Sequence, residues 1–163
     1  MLAFYFYLLY NVFGSERDKK GKIMFIGEYN FNIDDSHRIN IPNSFKKDLV
    51  GTFVIARGFE QCLYVFSQDE WAALSVKLNS LSITKSVNRK FNRSFNSGAY
   101  EVELDAKGRI CINQKLIDYA CLKKECVIIG VGNRIEIWDS EVYNNYLNEN
   151  EGIIAEIGEE LDL

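Results

Sequence analysis

Two stretches of the chain decide its fold when set one above the other: EYNFNIDDSHRINIP, residues 28–42, and YEVELDAKGRICIN, residues 100–113. In the first, Tyr29, Phe31 and Ile33 alternate with Glu28, Asn30 and Asn32. In the second, Tyr100, Val102 and Leu104 alternate with Glu101, Glu103 and Asp105. A period of two marks a half-buried strand. A short polar turn follows in each, then Ile39 and Ile41, or Ile110 and Ile112, at the same spacing. Each block therefore reads as a β-hairpin. A single offset of 71 residues relates Tyr29 to Tyr100, Ile33 to Leu104, Asp34 to Asp105, Arg38 to Arg109, Ile39 to Ile110 and Ile41 to Ile112. So many matches in one register make this an internal repeat.

The correspondence continues past the hairpins. Phe45-Lys46-Lys47-Asp48-Leu49 and Leu116-Ile117-Asp118-Tyr119-Ala120 each read as one or two helical turns. Phe53-Val54-Ile55 and Val127-Ile128-Ile129 read as buried strands. Leu63-Tyr64-Val65-Phe66 then matches Ile135-Glu136-Ile137-Trp138 at offset 72, with Trp71 and Tyr143 on the helices that follow. Each copy is predicted to run ββαββα. Two helices, near 68–81 and 83–96, fill the interval between the copies. Ser67-Gln68-Asp69-Glu70 has capping-box spacing, and Trp71, Leu74, Leu78 and Leu81 form a helical apolar stripe. The second helix carries Val87, Phe91 and Phe95 at spacing four, with Lys85, Arg89, Lys90 and Arg93 on its other face. That basic face suits phosphates, plain solvent or an acidic neighbour in an oligomer. Each copy has a thin core, so the Trp71/Leu74/Leu78 stripe is a candidate oligomer surface.

Both turns read Asp-x-x-x-Arg: Asp34-Asp35-Ser36-His37-Arg38 and Asp105-Ala106-Lys107-Gly108-Arg109. Gly108 stands where a turn often needs a positive φ. His37 replaces it in the first copy, and histidine is among the residues enriched there. An Asp at the turn start can accept backbone N–H groups and fix the turn. The arginine that follows has two readings. Its guanidinium is either free for bidentate contact with phosphate or guanine, or held in a local salt bridge that tightens the turn.

Composition sets the outer limits. Of 163 residues, 47% are hydrophobic and 26% charged, with one proline, so the chain is globular rather than disordered or collagen-like. The net charge of -4, taken alone, argues against a nucleic-acid binder. The charge is segregated, however. All 19 Lys and Arg lie at or before Arg134, while nine of the 23 acids lie from Glu136 onward. The first 135 residues thus carry +5 and the last 28 carry -9. A basic body with an acidic tail fits a polyanion-binding protein. Cys62, Cys111, Cys121 and Cys126 form no CxxC pair, and His37 is the only histidine, which disfavours a zinc site. Three of the cysteines sit among apolar residues, so buried free thiols in a reducing cytoplasm are expected. An enzyme reading would use Asp34 and Asp105 as paired carboxylates, and nothing in the chain supports it beyond their existence. Gly130-Val131-Gly132 lacks the third glycine and the helix of a dinucleotide fingerprint.

The opening MLAFYFYLLYNVF is apolar over 13 residues, too short to span a bilayer. It lacks the basic n-region and cleavage site of a signal peptide. Organised sequence begins at Met24, and residues 1–23 are expected to be an extension outside the fold.

The segments MFIGEY, Ile41-Pro42, CLYVFSQDEW, LDAKGR and RIEIWD, with the two Asp-x-x-x-Arg turns, resemble the MraZ family, two-copy members of the AbrB-like (SpoVT-AbrB) swapped-hairpin DNA-binding group. The resemblance runs from Met24 to about Tyr143, roughly three-quarters of the chain. It implies a mainly β fold with short helices (α+β), in which two tandem repeats pair as an intrachain pseudo-dimer. The expected organisation is an extension at 1–23, repeat 1 at 28–71, linking helices at 72–97, repeat 2 at 99–143 and an acidic C-terminal tail at 144–163. It further implies a regulator without cofactor or small-molecule substrate, assembled as a homo-oligomeric ring. Such a regulator would bind direct repeats of double-stranded DNA in the promoter of the division and cell-wall gene cluster, its own operon included, most simply as a repressor at the nucleoid. Arg38, Arg109, Lys107 and His37 would then contact DNA, and Asp34, Asp105 and Gly108 would form the turns. The competing expectation is a ring-forming assembly protein whose Asp-x-x-x-Arg turns are structural.

Overall fold

The alternation that defines the repeats is drawn out as strands and helices in a computed structural model that describes residues 24–161. The expectation for residues 1–23 lies outside the described residues. The first copy supplies β1 (Phe25–Asn32), β2 (Arg38–Asn40), α1 (Asn43–Lys46), β3 (Phe53–Arg57), β4 (Leu63–Phe66) and α2 (Gln68–Ser80). After α3 (Ser86–Ser97) the second copy supplies β5 (Ala99–Val102), β6 (Arg109–Cys111), α4 (Gln114–Ala120), β7 (Glu125–Gly132), β8 (Ile135–Asp139) and α5 (Ser140–Glu160). The order ββαββα occurs twice, as the repeat predicts. Helix starts are capped by side chains: Ser67 Oγ accepts from Glu70 N (3.3 Å), Asn113 Oδ1 from Leu116 N (3.0 Å), and Asp139 Oδ1 from Glu141 N (3.1 Å).

The pairing of the strands corrects the simple hairpin expectation. Within each block the two strands do not form a ladder; they pair with the other copy. β1 runs antiparallel to β7 over its whole length, from Phe25 opposite Gly132 to Asn32 opposite Glu125. β5 pairs with β3, and β2 pairs with β6. β2 is three residues long and is stopped by Pro42, which has no N–H to continue a ladder. Eight-residue β1 finds a full partner only in eight-residue β7. The result is a six-stranded antiparallel sheet, β1-β7-β8-β4-β3-β5, and a separate two-stranded ribbon, β2-β6. The two tandem repeats thus interlock as an intrachain pseudo-dimer. Equivalent residues face each other at two places, Ile39 opposite Ile110 in the ribbon and Tyr64 opposite Glu136 in the sheet. The pseudo-twofold axis passes through both.

Period-two alternation gives the sheet two apolar faces. One face presents Phe53, Ile55, Leu63, Val65, Ile135 and Ile137, and it packs on Ile39 and Ile110 of the ribbon and on α1 and α4. The other presents Ala56, Tyr64, Phe66, Val127 and Trp138, and it is covered by α2, α3 and the first turns of α5. The stripe expected to need a partner, Trp71, Leu74 and Leu78, is instead covered within the chain. Leu74 and Leu78 are buried, and Trp71 stacks on Phe95 of α3 at 5.7 Å between ring centroids. Of the α3 stripe, Phe91 and Phe95 pack inward against Phe59, whereas Val87 is exposed.

All four cysteines are free thiols, but only Cys62 and Cys126 are buried. Cys111 is exposed because Ile110 takes the inward position of three-residue β6, and the alternation turns its neighbours outward. Cys121 is exposed as the left-handed residue that ends α4, with φ 51°. Ile39 and Ile110 are fully buried. Truncating either to Ala should cost about 2–5 kcal/mol in a denaturant titration. The double substitution should cost less than the two single costs added together, because the residues face each other and share one cavity.

Candidate nucleic-acid interface

Each Asp-x-x-x-Arg turn is built around its carboxylate. Asp34 Oδ1 accepts from the backbone N–H of Ser36 and of Arg38, both at 2.9 Å, and Oδ2 accepts from Arg38 Nε at 2.8 Å. Asp105 repeats the pattern with Lys107 N and Arg109 N at 2.9 Å and Arg109 Nε at 2.8 Å. Backbone bonds close the loop. His37 N donates to Asp34 O and Gly108 N to Asp105 O, both at 2.9 Å. The fourth residue is left-handed in both turns, φ 56° at His37 and φ 73° at Gly108, as the glycine position predicts.

The ribbon brings the two turns together. Ile41 N donates to Gly108 O (3.2 Å) and Ile112 N to His37 O (2.9 Å), so each strand reaches into the other copy's turn. With Ile39 and Ile110 inward, Arg38, Asn40, Arg109 and Cys111 are the alternate, outward residues. Both arginines therefore share one face. Arg109 Nη1 also approaches Asp34 Oδ2 at 3.7 Å, which joins the turns electrostatically.

The arginines are not free of their own turns. Each makes the local ion pair at 2.8 Å. They differ in exposure: the Arg38 side chain is 41% exposed and that of Arg109 is 19%. The second turn is the more cationic. It carries Lys107 where the first has Ser36, and the first holds an additional acid, Asp35. Lys46, which sequence reasoning did not single out, adds to this. Its side chain lies over Gly108, where any Cβ would collide with it, and Nζ donates to Asn43 Oδ1 at 2.9 Å. The signal was the Lys46-Lys47 pair in α1. The repeat gave it no attention because the residue equivalent to Lys46 in the second copy is Ile117.

The turn carboxylates are held ionised. The backbone N–H of Arg38 is the leading cause that lowers Asp34, assisted by its guanidinium and the Ser36 amide. The Arg109 side chain, then its backbone N–H, lowers Asp105 to about 2. Two carboxylates held in the ionised form cannot serve as a general acid near neutral pH. Among the described residues, no group of three or more His, Cys, Asp or Glu is placed to hold a metal, and no helix is long and apolar enough to cross a membrane. Gly130-Val131-Gly132 ends strand β7 and opens no helix. Lys85, just before α3, and Lys90 and Arg93 on it are exposed on the helical side of the sheet, away from the ribbon. In comparison with known proteins, the family described as "MraZ protein, putative antitoxin-like" matches residues 24–94 and again residues 95–161.

The lowered values give a direction to acid stability. A carboxylate whose folded value lies below its unfolded one contributes its full stabilisation above the unfolded value, near 3.8, and loses it as pH falls towards the folded value. For Asp105 the window is from about 4 down to about 2. Denaturant titrations between pH 6 and pH 2.5 should show wild-type stability falling in that window. Asp105→Asn, which can still accept the turn amides, should be less stable at pH 6 and show a flatter fall.

Proposed function

This chain belongs to the MraZ family, and from that premise we propose that it is a sequence-specific DNA-binding transcriptional regulator. It binds direct repeats in the promoter of the division and cell-wall gene cluster, its own operon included, as a cytoplasmic, nucleoid-associated repressor. The observation that carries this reading is the ribbon β2–β6, which sets Arg38 and Arg109 on one outward face between two braced turns. A two-stranded ribbon is one of the two elements that the major groove admits, and arginine is the commonest specific reader of guanine. In each arginine the Nε edge serves the turn, which orients the guanidinium before any ligand arrives. Lys107, Lys46 and His37 lie beside the arginines and suit phosphate contacts, which position the protein without reading sequence. A net charge of -4 is compatible with this, because the local field of the turns governs encounter rather than the total. In a homo-oligomeric ring many ribbons face the DNA. Successive operator repeats are then engaged at high effective concentration, which is why repeats suit the protein better than one palindrome.

One observation favours the rival, a ring-forming assembly protein with purely structural turns: both arginines already have a carboxylate partner at 2.8 Å. Gel shifts and melting curves of Arg38→Ala and Arg109→Ala separate the two. A single lost base contact of about 1–3 kcal/mol weakens binding roughly 5- to 150-fold. The regulator should lose more than that on fragments carrying several repeats, since every subunit loses the contact together. Arg38→Ala should leave the melting temperature nearly unchanged. Arg109→Ala, less exposed and close to both carboxylates, should lower it. Lys107→Ala should reduce the salt dependence of binding without changing the preferred sequence. Variants that unfold or disassemble, or a wild type that shifts no promoter DNA at low salt, would establish the structural role.

A further inference from the structure

A pseudo-dimer with two identical halves would read DNA without direction. Turned about its own twofold axis it would present the same side chains, so each site would be an inverted repeat that can be entered in either sense. The ribbon β2–β6 departs from that symmetry on the face proposed to meet DNA. Its four outward residues form two facing pairs, Arg38 opposite Cys111 and Asn40 opposite Arg109. The offset of 71 relates Arg38 to Arg109, and it relates Asn40 to Cys111. The arginines are thus common to both halves, and the other two residues are not. Asn40 and Cys111 are both exposed. Among the described residues the Asn40 side-chain amide has no hydrogen-bond partner, whereas each arginine is held by the aspartate of its turn. The Cys111 thiol leans on the first turn, with Sγ 3.6 Å from Ser36 O.

The two side chains differ in what they can read. An amide can donate one hydrogen bond and accept another, which is the pattern that adenine offers in the major groove through N7 and N6. A thiol is a small apolar group with a weak donor, and it makes no such bidentate pair. The spacing also suits base edges. Residues two apart on a strand stand about 7 Å from each other, close to the rise of two base pairs, so an arginine and its neighbour at 38 and 40 can address separate pairs. The turns are unlike as well, with Lys107 where the first has Ser36. A lysine on phosphate positions the protein, however, and carries no base information. We infer that Asn40 is a base-reading residue that pairs with an adenine in one half of each site. Cys111, in the equivalent place, leaves the other half without that reading, and the ribbon thereby acquires a direction on DNA. A reader with a direction suits operator repeats that all run the same way. The inference rests on the DNA-binding reading above and adds to it the residue that breaks the symmetry.

The test is selection of bound duplexes from a random DNA pool by the full-length chain, with wild type, Asn40→Cys and Cys111→Asn compared. Each substitution installs the residue that the other strand already carries at the equivalent exposed position. Circular dichroism melts check that both variants fold as wild type does. The wild-type core should hold a guanine in both halves and an adenine in one half only. Asn40→Cys should lose the adenine and keep the guanines. Cys111→Asn should gain a second adenine and turn the core into an inverted repeat. Gel shifts on the selected wild-type site add a readout that needs no substitution in the protein. Exchanging the A·T pair for G·C should weaken wild-type binding roughly 5- to 150-fold. Replacing the adenine by 7-deazaadenine, which lacks the N7 acceptor, should weaken wild type and leave Asn40→Cys unaffected. A palindromic wild-type core, an adenine that survives in Asn40→Cys, or a wild type indifferent to the analogue would overturn the inference. If Arg38→Ala meanwhile abolishes selection, the regulator stands and only this role of Asn40 falls. A wild type that enriches no sequence from the pool would overturn both.

Discussion

The pair of backbone bonds that cross between the repeats, Ile41 N to Gly108 O and Ile112 N to His37 O, is the constraint on which the arrangement depends. Each is worth only about 0.5–1.5 kcal/mol as a net contribution. Their importance is geometric. They place each three-residue strand beside the other repeat's turn, which puts Ile39 opposite Ile110 under the ribbon and both arginines on top of it. Neither repeat can do this alone, because the partner of each β2-type strand belongs to the other copy. A left-handed residue is required in both turns at the position whose carbonyl receives the crossing bond, and His37 and Gly108 meet that need with different side chains.

The carboxylate at the head of each turn connects this backbone to the electrostatics. One oxygen holds two amides and the other holds the arginine Nε, so the same Asp shapes the loop and aims the guanidinium. A guanidinium is suited to this double duty, since its five donors point along separate edges, whereas a lysine would have to leave one partner for the other. The two turns are not equal in charge or exposure. The second combines Lys107 and the overlying Lys46 with a less exposed Arg109, while the first combines Asp35 and His37 with a more exposed Arg38.

Much of this was legible from residues alone, and the reasons are specific. The offset of 71 exposed the repeat, because turn chemistry and core positions must both be kept for the copies to interlock. The positive φ at Gly108 and His37 could be read from the glycine and its substitute. Strand partners could not, because a period of two tells which side of a strand is buried and nothing about what lies beside it. The cysteines were misjudged for the related reason that apolar neighbours in sequence do not fix burial. Cys111 follows buried Ile110 and points the other way. The cover of the Trp71 stripe, Phe91 and Phe95, belongs to a separate helix, and the spacing within one helix does not tell which other helix packs on it. Whether the turn arginine was free or paired also lay beyond the sequence, since Asp-x-x-x-Arg permits either. The geometry pairs Arg38 through Nε alone, whereas Arg109 engages Asp105 through both Nε and Nη2 and brings Nη1 to 3.7 Å from Asp34 Oδ2.

The asymmetry between the repeats then has a physical order. A pseudo-dimer needs two equivalent turns to build one ribbon, and its sheet buries equivalent strands around one axis, so these parts stay alike in both copies. The helices on the opposite face are under no such requirement. α2 is closed over by α3, while α5 extends and carries its apolar stripe and its acids past the sheet. Arg38, Arg109, Lys107 and Lys46 gather at the ribbon, and the acids of α5 lie on the other side of the sheet. A ligand on one face need not compete with a neighbour on the other. Six of the nine acids from Glu136 onward lie on α5, whose first turns pack on the sheet face away from the ribbon, so an acidic total does not by itself put negative charge at the turns.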